Sequence, residues 1–221
     1  MKIIICIIIS YLMGSISGSL LLGKFKNIDI RQMGSGNAGG TNALRSVGPL
    51  FALGTILIDI LKGFIPTLLF IRLISFDDII TIANLNIIDV APILFGTAAV
   101  IGHVYPIFYG FKGGKGAGTL IGVVLAIFPE SVLYILLLWI VTLILTGYVG
   151  LSTMLGGIGL VICTYFNYPG GGILSPFGYF TLGVSIFLIY THRENINRMI
   201  NGEENQFEKV MILKKMFSKN S

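Results

Sequence analysis

The sequence predicts an all-α integral membrane protein of seven transmembrane helices, with its N-terminus outside and its C-terminus cytosolic. Three observations predict it. Of 221 residues, 54% are hydrophobic and only 11% charged, with a mean hydropathy of +0.89, whereas a soluble domain carries about a quarter charged residues. The apolar runs are long and continuous rather than alternating, which selects helices over a barrel, the two backbones that satisfy their own hydrogen bonds in lipid. Finally, lysines and arginines gather in the connections between runs and in the tail, the asymmetry that orients a polytopic chain.

The elements follow in order. Met1 to about Gly23 reads as a retained first helix, since the run is long for a signal peptide and no Ala-x-Ala site follows. Within it Gly14 and Gly18 form a small-xxx-small pair suited to close helix packing. Lys24 to Gly48 is a polar connection, and the second span runs from about Pro49 to Ile74. That span holds Asp59 and Lys62 on one helical face; charges at this depth either pair inside the bundle or serve function. Arg72 to Asp89, with Asp77 and Asp78, reads as an outside loop. The third span covers about Val90 to Phe111 and the fourth Ala117 to Phe128, short for a crossing. The fifth (Ser131–Tyr148) and sixth (Val149–Phe166) have almost no link between them and form a tight hairpin. Asn167 to Phe177 is a Gly/Pro-rich loop including Gly170, and the seventh span runs from about Gly178 to Tyr190. The chain is thus one polytopic domain with a charged cytosolic tail over 191–221, whose Glu194, Glu203, Glu204 and Glu208 read as a solvated face. Twelve of the fifteen basic residues (Lys24, Lys26, Arg31, Arg45, Lys112, Lys115 and six in the tail) then share the cytosolic face.

Several function classes fall away. The net charge of +5 sits in these connections, so no nucleic-acid partner is implied. Cys6 and Cys163 lie inside apolar runs and read as packing residues, and no Cys/His spacing suggests a metal. Gly34-Ser-Gly-Asn-Ala-Gly39 matches G-x-G-x-x-G, but a membrane helix precedes it where a dinucleotide site needs a strand. Gly110 to Gly116 resembles a Walker A loop, yet it is too short and Gly116 stands where Ser/Thr would hold Mg²⁺.

What survives is a pair of glycine-rich turns, each with a cation, on one face. The first, Gly34 to Arg45, gathers Ser35, Gly36, Asn37, Thr41, Asn42 and Arg45; glycines let backbone N–H groups crowd an anion, and an arginine fork fits phosphate oxygens. The second runs Lys112-Gly113-Gly114-Lys115-Gly116. Two cradles suggest two phosphates. His192 and Asn195, three apart where the last span meets the cytosol, are candidates to orient a substrate or accept a proton. His103, near the end of the third span, reads as structural. No His-x4-Asp motif and no G-x-S-x-G elbow is present, so acyl transfer here would need an already activated donor.

Three pieces then resemble the bacterial membrane glycerol-3-phosphate acyltransferases of the PlsY family: Gly34–Arg45, Gly102-His-Val-Tyr-Pro-Ile-Phe-Tyr-Gly-Phe-Lys-Gly-Gly-Lys-Gly116, and His192-Arg-Glu-Asn-Ile-Asn-Arg198. The resemblance covers nearly the whole chain. It departs from the family's usual pattern at Ser17, where proline is common, at Gly40, where alanine is, and at Thr191, where arginine is. It implies seven crossings in the bacterial cell membrane, an active site facing the cytosol, and transfer of an acyl group from acyl phosphate to position 1 of glycerol 3-phosphate. The products would be lysophosphatidic acid and phosphate, without cofactor or metal, and an acyl-phosphate-forming enzyme would be a partner. By motif position Ser35, Arg45, Lys115, His192 and Asn195 would hold the glycerol phosphate and Gly113, Gly114 and Gly116 the acyl phosphate. Gly36, Asn37, Thr41, Asn42 and Lys112 would complete the binding surface. The competing reading from the residues is a transporter or channel for phosphate or a phosphorylated metabolite, which would use the same basic loops, although the chain carries no internal repeat of the kind many transporters have.

Overall fold

The computed structural model describes residues 1–74, 81–82, 85–169 and 171–211. Asp77 and Asp78 of the expected outside loop, Gly170, and Lys214, Lys215 and Lys219 of the tail lie outside the described residues. The chain divides into two compact units, Met1–Pro129 and Glu130–Ser221. Ten α-helices are described, with one two-residue antiparallel β-ladder pairing Thr81–Ile82 (β1) with Leu85–Asn86 (β2). The helical expectation therefore holds, apart from this ladder in the connection after the second span.

In the first unit the expected first span is broken. Helix α1 (Lys2–Gly14) and helix α2 (Gly18–Lys26) meet at a 46° bend. The cause is local: the intervening Ser15-Ile16-Ser17 gives weak helix propensity, and the Ser15 hydroxyl bonds back to the Tyr11 carbonyl (2.9 Å). The connection that reads as a plain loop contains α3 (Gly40–Ser46). Helix α4 (Pro49–Leu69) begins on a proline whose missing N–H costs nothing at a first turn. Helix α5 (Ile87–Val104) starts earlier than the third span predicts and stops earlier too, because the residue before Pro106 is pushed out of the helical region. Helix α6 (Ala117–Ile127) has 11 residues, or about 16 Å, half of a hydrocarbon core.

Helix α4 is the hub of this unit; α1, α2, α3, α5 and α6 all pack on it. Glycines set the approaches. A Cβ at Gly63 would run into the Thr119 carbonyl, and one at Gly122 into the Ile60 carbonyl, so α4 and α6 touch backbone to backbone. Gly14 meets Ala99 and Gly102 meets Tyr11 in the same manner between α1 and α5, while Gly18 faces Thr55 of α4. The expected packing role of Gly14 and Gly18 is what the structure has. Asp59 and Lys62 are 3% and 5% exposed. They pair with each other (2.9 Å), and they also treat the broken span: Asp59 Oδ1 accepts from the Gly18 N–H (3.2 Å) and Lys62 Nζ donates to the Ile16 carbonyl (2.8 Å). Backbone groups freed by the break are thereby satisfied away from water.

In the second unit α7 (Pro129–Thr146) and α8 (Val149–Asn167) are joined by Gly147 and Tyr148 alone, the tight hairpin read from the sequence. Gly147 takes φ +72°, and the Trp139 indole donates to Thr153 Oγ1 (3.2 Å) across the pair. Helix α9 (Pro176–Thr191) has Ser175 as an N-cap accepting from Gly178 (3.0 Å), and α10 (Arg193–Ile200) follows at once. Among the described residues three helical stretches are long and apolar enough to cross a bilayer, or four if the bent α1–α2 pair is one crossing.

Candidate active site

The first glycine-rich segment is organised by Asn42. Its side chain is 2% exposed. Nδ2 donates to the carbonyls of Ile30 (3.1 Å), Met33 (2.9 Å) and Asn37 (3.0 Å), and Oδ1 accepts from the Ser35 N–H (3.0 Å) and the Ser46 hydroxyl (3.3 Å). Its amide is engaged by atoms from Ile30 to Ser46, so Asn42 holds this segment in shape. Gly34 and Gly36 adopt φ +54° and +72°, and a Cβ on Gly34 would strike Asn42 Oδ1. Ser35, Gly36 and Arg45 are exposed on the result, with Asn37 and Thr41 half-buried. The Ser19 hydroxyl ties the segment to α2 through the Ala38 carbonyl (2.9 Å). An Asn42→Ala variant removes the side-chain hydrogen bonds to the Ile30, Met33 and Asn37 carbonyls and to the Ser35 N–H. It is expected to lower stability by about 1–3 kcal/mol, seen as a lower unfolding midpoint in detergent.

The second glycine-rich turn wraps His103, which is 3% exposed. The N–H of Gly114 donates to the His103 carbonyl (3.2 Å) and that of Gly113 to Val104 (3.2 Å). A Cβ on Gly113 would meet the His103 carbonyl, and one on Gly114 the His103 Nε2. Gly116, at φ +91°, turns the chain into α6. Lys112 is exposed and Lys115 half-buried.

Tyr109, which leads into the second turn, packs beside the first. Its carbonyl accepts from Arg31 Nη1 (3.1 Å), Lys24 Nζ lies 5.7 Å from its ring centroid, and it packs against the Leu20–Ile30–Ala38 cluster. Sequence reasoning missed Tyr109, since nothing in its spacing marks it. Arg31 in turn grips Asp29 (2.7 Å) and holds that carboxyl below the usual range, chiefly through the side-chain hydrogen bond. A depressed carboxylate stabilises the fold at neutral pH, and that contribution disappears as pH falls through its lowered value. With the pair about a third exposed, its worth is small.

In the second unit His192 stands at the junction of α9 and α10 and is 5% exposed. Its Nδ1 lies 2.8 Å from the Leu188 carbonyl. A carbonyl only accepts, so Nδ1 carries the hydrogen and a neutral ring keeps its lone pair at Nε2. Asn195, 7% exposed, donates to Glu204 Oε1 (2.9 Å), whose other oxygen takes Arg198 Nε (2.7 Å). This corrects the reading of Glu204 as solvated: it is buried beneath α10. The turn at Gly202, φ +74°, reverses the chain and brings it there, a tertiary event that the spacing does not announce. Gly150 of α8 packs on Asn195. Among the described residues, no group of three or more His, Cys, Asp and Glu side chains is placed to hold a metal.

The sequence model of a family described as glycerol-3-phosphate acyltransferase matches residues 4–202. Glycerol-3-phosphate acyltransferases of Aquifex aeolicus (35% identical, 94% of this chain, 100% of that one) and Bacillus subtilis (42% identical, 92% of this chain, 97% of that one) align with it. Among solved structures it is similar to crystal structures of PlsY, an integral membrane glycerol 3-phosphate acyltransferase. The glycerol 3-phosphate form has a TM-score of 0.81 at 34% identity, covering 94% of this chain and 96% of that one. The lysophosphatidic acid form has a TM-score of 0.79 at 33% identity with the same coverage. The fold is thus shared with known enzymes over almost their whole length, and the chain belongs to the glycerol-3-phosphate acyltransferase family, a family of integral membrane acyltransferases of phospholipid biosynthesis.

Proposed function

We propose that the chain transfers a fatty acyl group from acyl phosphate to the 1-hydroxyl of glycerol 3-phosphate, giving lysophosphatidic acid and phosphate. The observation that supports this is that Tyr109, which leads into the second glycine-rich turn, packs against the cluster holding Ala38 of the first and takes a hydrogen bond from Arg31. In the reaction Ser35 and Arg45 with Lys115 hold the glycerol phosphate, and His192 and Asn195 orient it. Gly36, Asn37 and Thr41 complete the first cradle, which Asn42 shapes. Lys112, Gly113, Gly114 and Gly116 receive the acyl phosphate.

The donor is a mixed anhydride, so no covalent enzyme intermediate is needed. The 1-hydroxyl oxygen bonds to the acyl carbon, the bond from that carbon to the phosphate oxygen breaks, and inorganic phosphate leaves. Positioning the two reactants supplies about 7–11 kcal/mol of the barrier, and cations at the phosphates neutralise the leaving group. The hydroxyl proton passes to His192 Nε2, the ring nitrogen left with a lone pair by the Leu188 contact, or to a phosphate oxygen of the substrate. A His192→Gln variant separates these: if the ring is the base, turnover falls and the acid limb of the pH–rate profile disappears. An unaltered profile assigns the proton to the phosphate.

The same reading places one polytopic domain in the bacterial cell membrane with seven crossings, N-terminus outside, and residues 191–221 cytosolic with the site. An acyl-phosphate-forming enzyme supplies the donor, and the acyl chain lies among the helices. Purified protein in detergent tests it. Phosphate should be released from acyl phosphate only when glycerol 3-phosphate is added, whereas a transporter of phosphorylated metabolites does nothing without a sealed bilayer.

A further inference from the structure

The proposed reaction leaves one buried cluster unused. Asp59, Lys62 and His103 are each at most 5% exposed, and they come from α4 and the end of α5. Asp59 Oδ1 is the centre: Lys62 Nζ lies 2.9 Å away, His103 Nδ1 3.5 Å, and the Gly18 N–H donates to it at 3.2 Å. His103 Nδ1 is buried without a hydrogen-bond partner, and the Asp59 carboxylate is the charged group that faces it. An ion pair this deep is costly to keep unless something depends on it.

Two paths lead outward from Asp59. One passes through Gly18 to the head of α2, where the next residue, Ser19, holds the Ala38 carbonyl of the first cradle (2.9 Å). Lys62 fixes the same head from behind through the Ile16 carbonyl (2.8 Å). The other passes through the His103 ring, whose Nε2 side has Gly114 directly against it and whose carbonyl takes the Gly114 N–H (3.2 Å). Asp59 also abuts α6, where a Cβ on Gly118 would come within 3.2 Å of its own Cβ. Gly18, Ser19, Ala38, His103 and Gly114 are all buried.

We propose that Asp59, held by Lys62, is a positioning residue that fixes the two glycine-rich cradles relative to each other, through Gly18–Ser19–Ala38 on one side and His103–Gly114 on the other. It touches no substrate; it sets the separation at which the two phosphates are presented. This rests on the two-cradle reading above.

The test uses the full-length protein in detergent with Asp59→Asn and, because a lone buried Lys62 endangers folding, the charge-neutral double variant Asp59→Asn/Lys62→Met. Amide hydrogen exchange is followed in the peptides covering Gly34–Arg45 and Lys112–Gly116. In folded double variant both peptides should exchange at least about threefold faster together, and kcat per folded molecule should fall about tenfold, the range that coupling residues supply. KM for glycerol 3-phosphate should change less than kcat, a split that mere loss of stability does not produce. Acceleration in only one peptide, or in neither, or kcat within about twofold of the wild type per folded molecule, overturns the proposal. The exchange readout is independent of chemistry. A wild-type protein that releases no phosphate would refute the reaction and leave the positioning claim to stand or fall on exchange alone.

Discussion

Replacing Arg45 or Lys115 with alanine is expected to lower kcat/KM for glycerol 3-phosphate at least about tenfold in each case, with the protein still folded. A hydrogen bond from a cation to a phosphate oxygen contributes about 1.5–3 kcal/mol, and about 1.4 kcal/mol is a factor of ten in rate. Arg45 is exposed at the last turn of α3, and Lys115 half-buried just before α6, so truncation of either costs little packing. Arg45→Lys should recover only part of the loss, since an ammonium keeps the charge without the planar fork. Steady-state kinetics with acyl phosphate in excess, beside the unfolding midpoint of each variant, decides it. Turnover near wild type in both alanine variants would remove these residues from the site.

The largest effect on the fold is expected from Gly63→Ala. The new methyl would be driven into the Thr119 carbonyl, with the Thr119 side chain also 3.1 Å away. Main chain cannot swing aside as a flexible side chain does, so α4 and α6 must separate. Overpacking of this kind costs about 1–3 kcal/mol or more, and each kcal/mol is worth about 2–4 °C in Tm for a chain of this length. Because α4 also carries Asp59 and Lys62 and α6 begins at the second turn, activity should fall with stability. Gly183→Ala is the control. Nothing lies within 4 Å of the methyl it would add, and alanine is the better helix former by roughly 0.5–1 kcal/mol, so its Tm should hold or rise.

Much of this protein was legible in the order of its residues. Continuous apolar runs have only one way to satisfy their backbone in lipid, so the helices and the Gly147–Tyr148 hairpin could be read directly. Their boundaries moved wherever a local signal competed with hydropathy, as at Pro106, which ends α5 early, or at Ser15–Ser17, which breaks the first span. Motif chemistry was equally plain: glycines beside a fixed cation are a local property, visible without a fold.

Contacts between distant residues were not. Asp59 and Lys62 stood three apart on one face, which announces a pair but not the Gly18 N–H and Ile16 carbonyl that the pair satisfies. Asn42 looked like one more polar ligand until five hydrogen bonds turned it into the scaffold of its own segment. Glu204 looked solvated until Gly202 folded it under Asn195. The sequence by itself determined the solvent this chain lives in, the helical class and the pairing of glycine-rich turns with cations, because each follows from local composition and spacing. Only the tertiary structure decided which polar groups are buried against the protein and which stay exposed, because burial and partner choice are set by whatever the rest of the chain brings alongside.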